Sequence, residues 1–459
     1  MTTDFPLVDL IHTRRDQLIS TLMDYVRQPS ISATGEGFPE ATAVSAALMR
    51  SAGLQVEEIA TAGCPALIGR AEGRQGAPTV CIYGHYDVQP VGDPDEWTSP
   101  AFEPQIRSGR LYGRGAADNK AQHLAHLQAI QLLREHGGGE LPCTIVMLLD
   151  GEEEIGSPNL AKVVRDNRES LACDLVVWSD RAIDHSGQWS LLHGVRGVLT
   201  VELEATGAVR DLHSGNFGNV AEQPTWQLIH ALASLRGSDG QIAIPGFWDA
   251  VRPLPDADRK AFDALPLDLP RILGDIGLEE MDPRDNPATY WERLGARPTM
   301  TINGIMAGSL TRTIIPQVAR ARVDMRLVAD QDPHTVWRQL CEHLKLHNPD
   351  ITPRLVNAVP CSRTDVDNAW TPLLAAAVAE ETGQAPLIVP AFGGTIPDYV
   401  FTQILGVPSV GMPLANYDQN NHAPDENVLL DVYLTAIKIC ATLWQALGRV
   451  QESSARRTL

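Results

Sequence analysis

Apolar runs bounded by polar or glycine-containing turns alternate with amphipathic stretches through the first 180 residues. The apolar runs lie at Thr79–Tyr83, Thr144–Leu149 and Leu175–Trp178, and a helix is predicted between the first two, from Asn119 to about His136. Continuous apolar runs are typical of strands that are buried on both faces. Strands that alternate with helices in this way predict a mostly parallel sheet with helices on its faces.

The pattern changes after Gly194. Leu199–Glu204 and Val318–Val328 alternate apolar with polar positions, which is typical of strands with one solvent-exposed face. Helices are predicted at Thr225–Leu235 and Pro333–Leu346. A half-exposed sheet with two helices predicts a compact α+β domain.

The first pattern resumes with a helix predicted from Trp370 to Glu381. The predicted fold class is therefore α/β: a mostly parallel-sheet domain formed by residues 1–194 and 363–459, with an α+β domain, residues 195–362, inserted into it. The inserted part contains a Pro- and Asp-rich region, Gly246–Pro298, for which loops and short helices are predicted. The length of 459 residues agrees with two domains, because a single core rarely grows that large.

Composition and charge argue against some classes of binding partner. The chain has 57 Asp and Glu against 37 Lys and Arg, a formal charge of −20. Phosphate backbones and anionic membrane surfaces would repel it, so neither nucleic acid nor a membrane is expected as a partner. No apolar run is predicted to be long enough to cross a bilayer, and the first ten residues lack the pattern of a signal peptide. Seven scattered cysteines without a C-x-x-C pair are typical of reduced thiols and predict a cytoplasmic location.

Five metal-capable side chains follow predicted strands or lie in turns. His85, Asp118, Glu153 and Asp180 come directly after an apolar run or in a turn close to one, and His422 lies in a loop-forming stretch far downstream. In an open α/β sheet, ligand sites gather at the carboxyl ends of the strands. Two histidines and three carboxylates at that edge suit a pair of divalent cations. The pattern therefore predicts a metal-dependent hydrolase.

Several of these residues also have simpler explanations. Asp118 suits the N-cap of the following helix, three adjacent glutamates are typical of an acidic first turn, and a lone loop histidine such as His422 is usually just exposed. Adjacent glutamates can nevertheless have different roles: Glu153 would bind metal, while Glu152 would take a proton from water. Asp87 lies two residues after His85, where its carboxylate can hold the imidazole by a hydrogen bond.

Other motifs do not support a different site. His343 and His347 have the i, i+4 spacing of a helical zinc pair, but the H-E-x-x-H pattern is absent, so they are interpreted as part of a solvated helix face. The sequence has no G-x-S-x-G elbow, which leaves a serine hydrolase unsupported. Gly393-Gly394-Thr395 lacks the lysine of a P-loop.

Taken together, these residues resemble the M20 family of metallopeptidases, and within it the carnosinase-like cytosolic dipeptidases. The stretches that carry the resemblance follow the order of the family along nearly the whole chain. They are Tyr83–Pro90, Leu111–Lys120, Asp150–Ser157, Asp211–Gly215 and Asn421–Asn427.

The resemblance implies two divalent cations per subunit, with zinc favoured over manganese or cobalt. His85, Asp118 and Asp180 would hold one cation. Asp118, Glu153 and His422 would hold the other, so that Asp118 is shared between them.

The resemblance also implies roles for the inserted domain, which would be a lid that forms a homodimer. His213 would reach the partner's site and stabilise the oxyanion, although a surface histidine is the simpler interpretation. Thr313, Arg326 and the turn Gly394-Thr395 would contact the substrate, with Arg326 holding its free carboxylate. For Arg326, the simpler interpretation is an arginine on the wet face of a sheet.

The implied activity is hydrolysis of the peptide bond of dipeptides or similar small peptides. Glu152 would activate a water between the two metals and pass the proton to the leaving amine. An N-acyl amino acid amidohydrolase of the same fold is an alternative, and a non-catalytic dimeric binding protein is a less favoured one. Thr395 stands where Ser is usual, and Ala121 and Asn219 where Gly is common, which puts substrate preference rather than catalysis in question.

Overall fold

The computed structural model describes residues 7–281 and 290–450, which form two compact units. Within these described ranges, unit 1 comprises residues 7–194, 364–390 and 397–450, and unit 2 comprises residues 195–281, 290–363 and 391–396. The helices within the described ranges are α1 Leu7–Thr13, α2 Arg15–Arg27, α3 Glu40–Ser51, α4 Ala121–His136, α5 Leu160–Asp166, α6 Ser214–Phe217, α7 Pro224–Ser234, α8 Asp256–Asp263, α9 Leu269–Ile276, α10 Tyr290–Ala296, α11 Pro333–His347, α12 Thr371–Thr382 and α13 Leu430–Gly448. The strands are β1 Gln55–Ile59, β2 Ala66–Ala71, β3 Thr79–His85, β4 Gln105–Arg107, β5 Arg110–Tyr112, β6 Thr144–Asp150, β7 Leu175–Trp178, β8 Ser190–Leu192, β9 Gly194–Val195, β10 Gly197–Thr206, β11 Leu212–His213, β12 Thr299–Ala307, β13 Ile314–Ile315, β14 Val318–Leu327, β15 Ile351–Val359, β16 Ser362–Arg363, β17 Leu387–Val389, β18 Ser409–Gly411 and β19 Asn427–Leu429.

Unit 1 is built on an eight-stranded sheet of order β1-β2-β6-β3-β7-β18-β8-β17. The central strands β6, β3, β7 and β18 run parallel to one another, while β1 and β2 extend one side in antiparallel fashion. A short loop joins β1 to β2, and such loops connect only antiparallel neighbours. The sheet is therefore mixed, and it is parallel at its centre as predicted.

The core of unit 1 includes α13, which packs against α4 and α12. Tyr433, Ile437 and Trp444 of α13 are all buried. Contrary to the prediction, this helix has the length and apolar composition of a membrane span, but 56% of that stretch is buried inside the protein. Its apolar character is therefore explained by core packing.

Unit 2 contains a four-stranded antiparallel sheet of order β12-β14-β10-β15. Side chains of β14 alternate between buried and more exposed positions, as the sequence pattern predicts. Leucines of α7 and α11 pack on the buried face of the sheet. The α/β fold class with an α+β insertion is confirmed. Helices α8, α9 and α10 lie in the Pro- and Asp-rich region, of which residues 282–289 are outside the described residues.

Candidate metal centre

Three parallel strands of unit 1 bring the predicted site residues to one edge of the sheet. In the register of β3 and β7, Tyr83 lies opposite Trp178, and in that of β3 and β6, His85 lies opposite Asp150. Asp180 follows Trp178 by two residues, just as His85 follows Tyr83. Side chains that follow the ends of these strands are therefore neighbours at the carboxyl edge, where α/β proteins place their ligand sites.

Asp118 lies between the two predicted histidine ligands. Its Oδ1 is 3.0 Å from His85 Nε2, and its Oδ2 is 3.2 Å from His422 Nε2. His85 is fully buried and Asp118 nearly so, while the side chain of His422 is half exposed. One carboxylate thus turns one oxygen toward each imidazole, the arrangement expected of a ligand shared by two cations.

The glutamate that joins this group is Glu154, whereas the sequence prediction named Glu153. Glu154 Oε2 is 3.1 Å from His422 Nε2, and His85, Asp118 and Glu154 each offer a ligand atom within 4.8 Å of the others. The prediction is corrected because Glu153–Ile155 forms a 3-10 turn whose orientation is set by Asp87. The Asp87 carboxylate accepts the backbone N–H groups of Glu153, at 3.1 Å, and Glu154, at 3.0 Å.

Glu152, the predicted general base, has its carboxylate engaged elsewhere. Its Oε1 accepts the backbone N–H of Cys64 at 3.1 Å, and its Oε2 accepts Asn159 Nδ2 at 2.7 Å. Glu153 Oε2, by contrast, is 4.0 Å from His85 Nε2. The glutamate that faces His85 without belonging to the ligand group is therefore Glu153, whereas the role predicted for Glu152 stays a prediction.

Sequence reasoning missed this shift by one residue because three adjacent glutamates look alike in a linear pattern. The available signal was Gly156, which has a φ of 87° and ends the turn. Glycine is the residue that accepts such a backbone without strain. Counting back from Gly156 places Glu153 and Glu154 inside the turn and Glu152 before it.

Asp87 and Asp180 complete the predicted set. His85 Nδ1, the ring nitrogen that does not face Asp118, lies 3.1 Å from the carbonyl oxygen of Asp87 and 3.3 Å from its Oδ1. Asp180 is nine-tenths buried, and its Oδ1 accepts the N–H of Arg181 at 2.5 Å. Asp180 is not part of the close group of described ligand atoms, but its charge acts on that of Asp118.

The electrostatics indicate a surplus of buried negative charge. Burial, reinforced by Asp118, raises the pKa of Asp180 to about 6, and burial also raises the pKa of Glu153. Hydrogen bonds to Asp118 and then to Glu154 raise the pKa of His422 to about 10. Burial lowers the pKa of His85, but hydrogen bonds to Asp118 and Asp87 outweigh burial, so the pKa of this imidazole is raised. Imidazole and carboxylate donors with this excess of negative charge fit divalent cations.

The predicted substrate contacts lie in unit 2 and form two groups. His213 and Thr313 are both exposed; His213 lies in β11 opposite Ile314 of β13, and Thr313 directly precedes β13. Arg326 Nη1 donates to Thr395 Oγ1 at 2.9 Å. A Cβ at Gly394 would lie 2.3 Å from the ring of Phe392, so a larger residue there would require that ring to move.

The histidine pair in α11 shows no sign of metal binding among the described residues, although its environment differs from the prediction. His343 is buried and its Nε2 lies 3.0 Å from Ser234 Oγ, whereas His347 is exposed. The interpretation as a solvated face is therefore wrong for His343. A buried hydrogen bond explains that residue without a metal.

Comparison with known proteins agrees with this site. The sequence profile of Peptidase family M20/M25/M40 matches residues 81–446. Beta-Ala-His dipeptidase of Mus musculus is 29% identical over 401 residues, which are 84% of this chain and 80% of the relative. Cys-Gly metallodipeptidase DUG1 of Candida albicans is 26% identical over 465 residues, or 94% of this chain and 95% of the relative. Among solved structures, the M20 family metallo-carboxypeptidase Sso-CP2 of Sulfolobus solfataricus has a TM-score of 0.86 at 31% identity, covering 94% of this chain and 99% of that one.

The profile match spans most of the chain and includes every residue of the candidate metal centre. The resemblance predicted from the sequence motifs is thereby confirmed, and the chain belongs to Peptidase family M20/M25/M40.

Proposed function

We propose that this protein is a metal-dependent dipeptidase, which hydrolyses the peptide bond of dipeptides or similar small peptides. The observation that carries the proposal is the position of Asp118, whose two oxygens face His85 and His422 separately. Such a carboxylate suits a pair of cations, and the family model that matches the chain is that of a peptidase family.

Two groups of residues would hold the cations. His85, Asp118 and Asp180 would bind one, and Asp118, Glu154 and His422 the other. Zinc is our first choice for both sites, with manganese or cobalt as alternatives, since these metals share imidazole and carboxylate ligands. A bound pair would polarise the scissile carbonyl and lower the pKa of the attacking water.

Glu153 would act as the general base. Its Oε2 lies 4.0 Å from His85 Nε2, and burial raises the pKa of its carboxyl group, which favours its acting as a proton acceptor. In this proposal Glu153 takes a proton from the attacking water and passes it to the nitrogen of the leaving amine. Glu152 supports the neighbouring loop through its hydrogen bond to Cys64.

Unit 2 would recognise the substrate. Arg326 is held by Asp324, whose Oδ2 accepts its Nε at 3.1 Å, and by the hydroxyl of Thr395. A guanidinium fixed in this way suits the free carboxylate of a small peptide. Thr313 and Gly394 would line the same substrate, and His213 would act in the site of a partner subunit, so a homodimer is part of the proposal. We also propose a cytoplasmic location.

The relatives include dipeptidases and a metallo-carboxypeptidase, so the decisive experiment compares substrate lengths. Purified protein, first stripped of metal and then supplied with Zn²⁺, Mn²⁺ or Co²⁺, is assayed against dipeptides, tripeptides and N-acetyl amino acids. We expect metal-dependent cleavage with dipeptides preferred. Preference for N-acetyl amino acids would support the amidohydrolase instead, and metal binding without any turnover would support a binding protein.

A further inference from the structure

Glu426 has a fully buried carboxylate that accepts four hydrogen bonds. Its Oε1 accepts the backbone N–H groups of Ala117 and Asp118, each at 2.9 Å. Its Oε2 accepts the backbone N–H of Gly115 and Nη1 of Arg114, each at 2.8 Å. Both oxygens are therefore saturated by the one segment that contains the candidate ligand Asp118.

The backbone around Glu426 adds to this attachment. The carbonyl of Glu426 accepts the N–H of Gly113 at 2.9 Å, and the next residue begins β19, which pairs with β5 so that Asn427 lies opposite Tyr112. The segments 113–118 and 422–427 are consequently joined by main-chain pairing at one end and by the Glu426 carboxylate at the other.

This attachment links two proposed metal ligands. Asp118 contributes its own backbone N–H to Glu426, while its side chain faces His85 and His422. His422 precedes Glu426 by four residues and has a φ of 58°, a backbone conformation that costs free energy for residues other than glycine. An attachment close by, such as that of Glu426, helps to hold a residue in this conformation.

A second carboxylate in the same loop strengthens this view. Asp425 Oδ1 accepts the backbone N–H of Thr98 at 3.0 Å, and Oδ2 accepts the hydroxyl of Thr98 at 2.5 Å. The loop that carries His422 is thus tied on two sides through consecutive acidic residues. Glu426 is the deeper of the two, because it is fully buried while the Asp425 side chain is about one-quarter exposed.

We propose that Glu426 is a positioning residue of the metal centre, which holds Asp118 and His422 at the separation from which they would bind the cation that they share. The Glu426 carboxylate hydrogen-bonds the backbone of Asp118 and not its side chain, so it would act through the backbone of the 115–118 segment and through the 422–426 loop. The inference rests on the proposed metal-dependent function, since without bound cations the separation of Asp118 and His422 would have no chemical consequence.

The test replaces Glu426 by Gln, which keeps the shape but turns an amide N–H₂ group toward two of the four donors. Zn²⁺ affinity is measured on metal-free protein by competition with a chromogenic chelator, and the melting temperature is measured on the same metal-free sample. We expect Zn²⁺ affinity to fall about 10- to 100-fold, the range found when groups that orient metal ligands are removed.

Asp174→Asn is the matched control. Asp174 Oδ2 also accepts a backbone N–H, that of Thr79 at 2.8 Å, but it lies at the amino end of β7, the opposite edge of the sheet from the candidate site. We expect this change to lower the melting temperature and leave Zn²⁺ affinity unaltered. A purely structural role of Glu426 predicts the same outcome for Glu426→Gln, and that result would overturn the proposal.

Glu426→Asp keeps the experiment decisive if the Gln variant does not fold. Aspartate keeps the charge, but it is one methylene shorter and cannot reach Arg114 and the N–H groups of Ala117 and Asp118 together. We expect Zn²⁺ affinity between those of the wild type and the Gln variant, and wild-type affinity in a folded Asp variant would contradict the proposal. Failure of the proposed function would look different, because the unaltered protein would then bind no Zn²⁺ or cleave no peptide.

Discussion

The two units differ in the burial of the polar side chains on their sheets. In unit 1 the strands β3, β6 and β7 are buried almost throughout, and buried polar residues such as His85 and Asp150 occur where these strands end. In unit 2 the strands β10 and β14 carry charged residues along an open face. Polar groups are costly to bury, so those of unit 1 must be fully satisfied by partners or ligands, whereas those of unit 2 have water available.

This difference explains why the two sets of predicted site residues have different support. A buried His or Asp at a strand end has few explanations other than a site, and its neighbours are limited by packing. An exposed residue such as His213 or Thr313 is also compatible with an ordinary surface position, because water satisfies its polar atoms. The proposed roles in unit 1 are consequently more tightly constrained than those in unit 2.

The largest expected effect concerns the general base in unit 1. Glu153→Gln should lower kcat by about 10²- to 10⁴-fold while both metals remain bound, because an amide cannot accept the proton of water. Glu152→Gln is the control at the adjacent position and should cost less than about tenfold, since its carboxylate serves hydrogen bonds to Cys64 and Asn159. Steady-state kinetics with metal analysis of both variants checks this. A larger kcat loss for Glu152→Gln would restore the assignment made from the sequence.

Metal removal should lower the stability of unit 1 and leave that of unit 2 unchanged. Cations present at a hundred times their dissociation constant stabilise the state that binds them by about 2.7 kcal/mol. Their removal should therefore increase hydrogen exchange in β3, β6 and β7, which end at the site, and leave β10 and β14 unaffected. Exchange measured by mass spectrometry before and after chelation, with restoration by added Zn²⁺, tests this. Equal loss of protection in both units would mean that metal binding is not confined to unit 1.

In unit 2 the sharpest prediction concerns Arg326. Arg326→Gln should lower kcat/KM for dipeptides with a free carboxylate by about 10- to 100-fold, corresponding to the roughly 1.5–3 kcal/mol of a charged hydrogen bond. Dipeptides with an amidated carboxyl end should show no such loss, since they offer no charge to the guanidinium. Arg320→Gln, on the exposed face of the same strand, is the matched control. Equal losses for both kinds of substrate would assign Arg326 a structural role.

Much of the fold was predictable because burial leaves a pattern. The runs before His85, Glu152 and Asp180 are continuous, and these are the central strands of the unit 1 sheet. Alternation in Val318–Val328 likewise predicted a half-exposed strand of unit 2. A strand that is buried on both faces is apolar throughout, whereas a strand with one face in solvent alternates apolar and polar residues. Both patterns can be seen in the sequence itself.

The parts that were not predictable depend on contacts between distant segments. The choice among Glu152, Glu153 and Glu154 is made by Asp87, which binds two backbone N–H groups of the turn. The burial of His343 depends on α7, which supplies Ser234. No local pattern contains these contacts. Glu426 belongs to the same class, because its partners lie more than 300 residues away in the sequence.

The smallest effect is expected on the open face of the unit 2 sheet. Arg320 Nε donates to Glu204 Oε2 at 2.6 Å across β14 and β10, and both side chains are more than one-third exposed. Glu204→Gln should lower the free energy of unfolding by less than about 1 kcal/mol, because water and salt screen an exposed pair. Urea denaturation at low and high ionic strength measures this, and the small difference between wild type and variant should shrink further as salt is added. A loss above about 2 kcal/mol, insensitive to salt, would show that this face is covered in the functional state, since only desolvated ion pairs are worth that much. The contrast between a buried polar site in unit 1 and a wet polar surface in unit 2 would then apply only to the isolated chain.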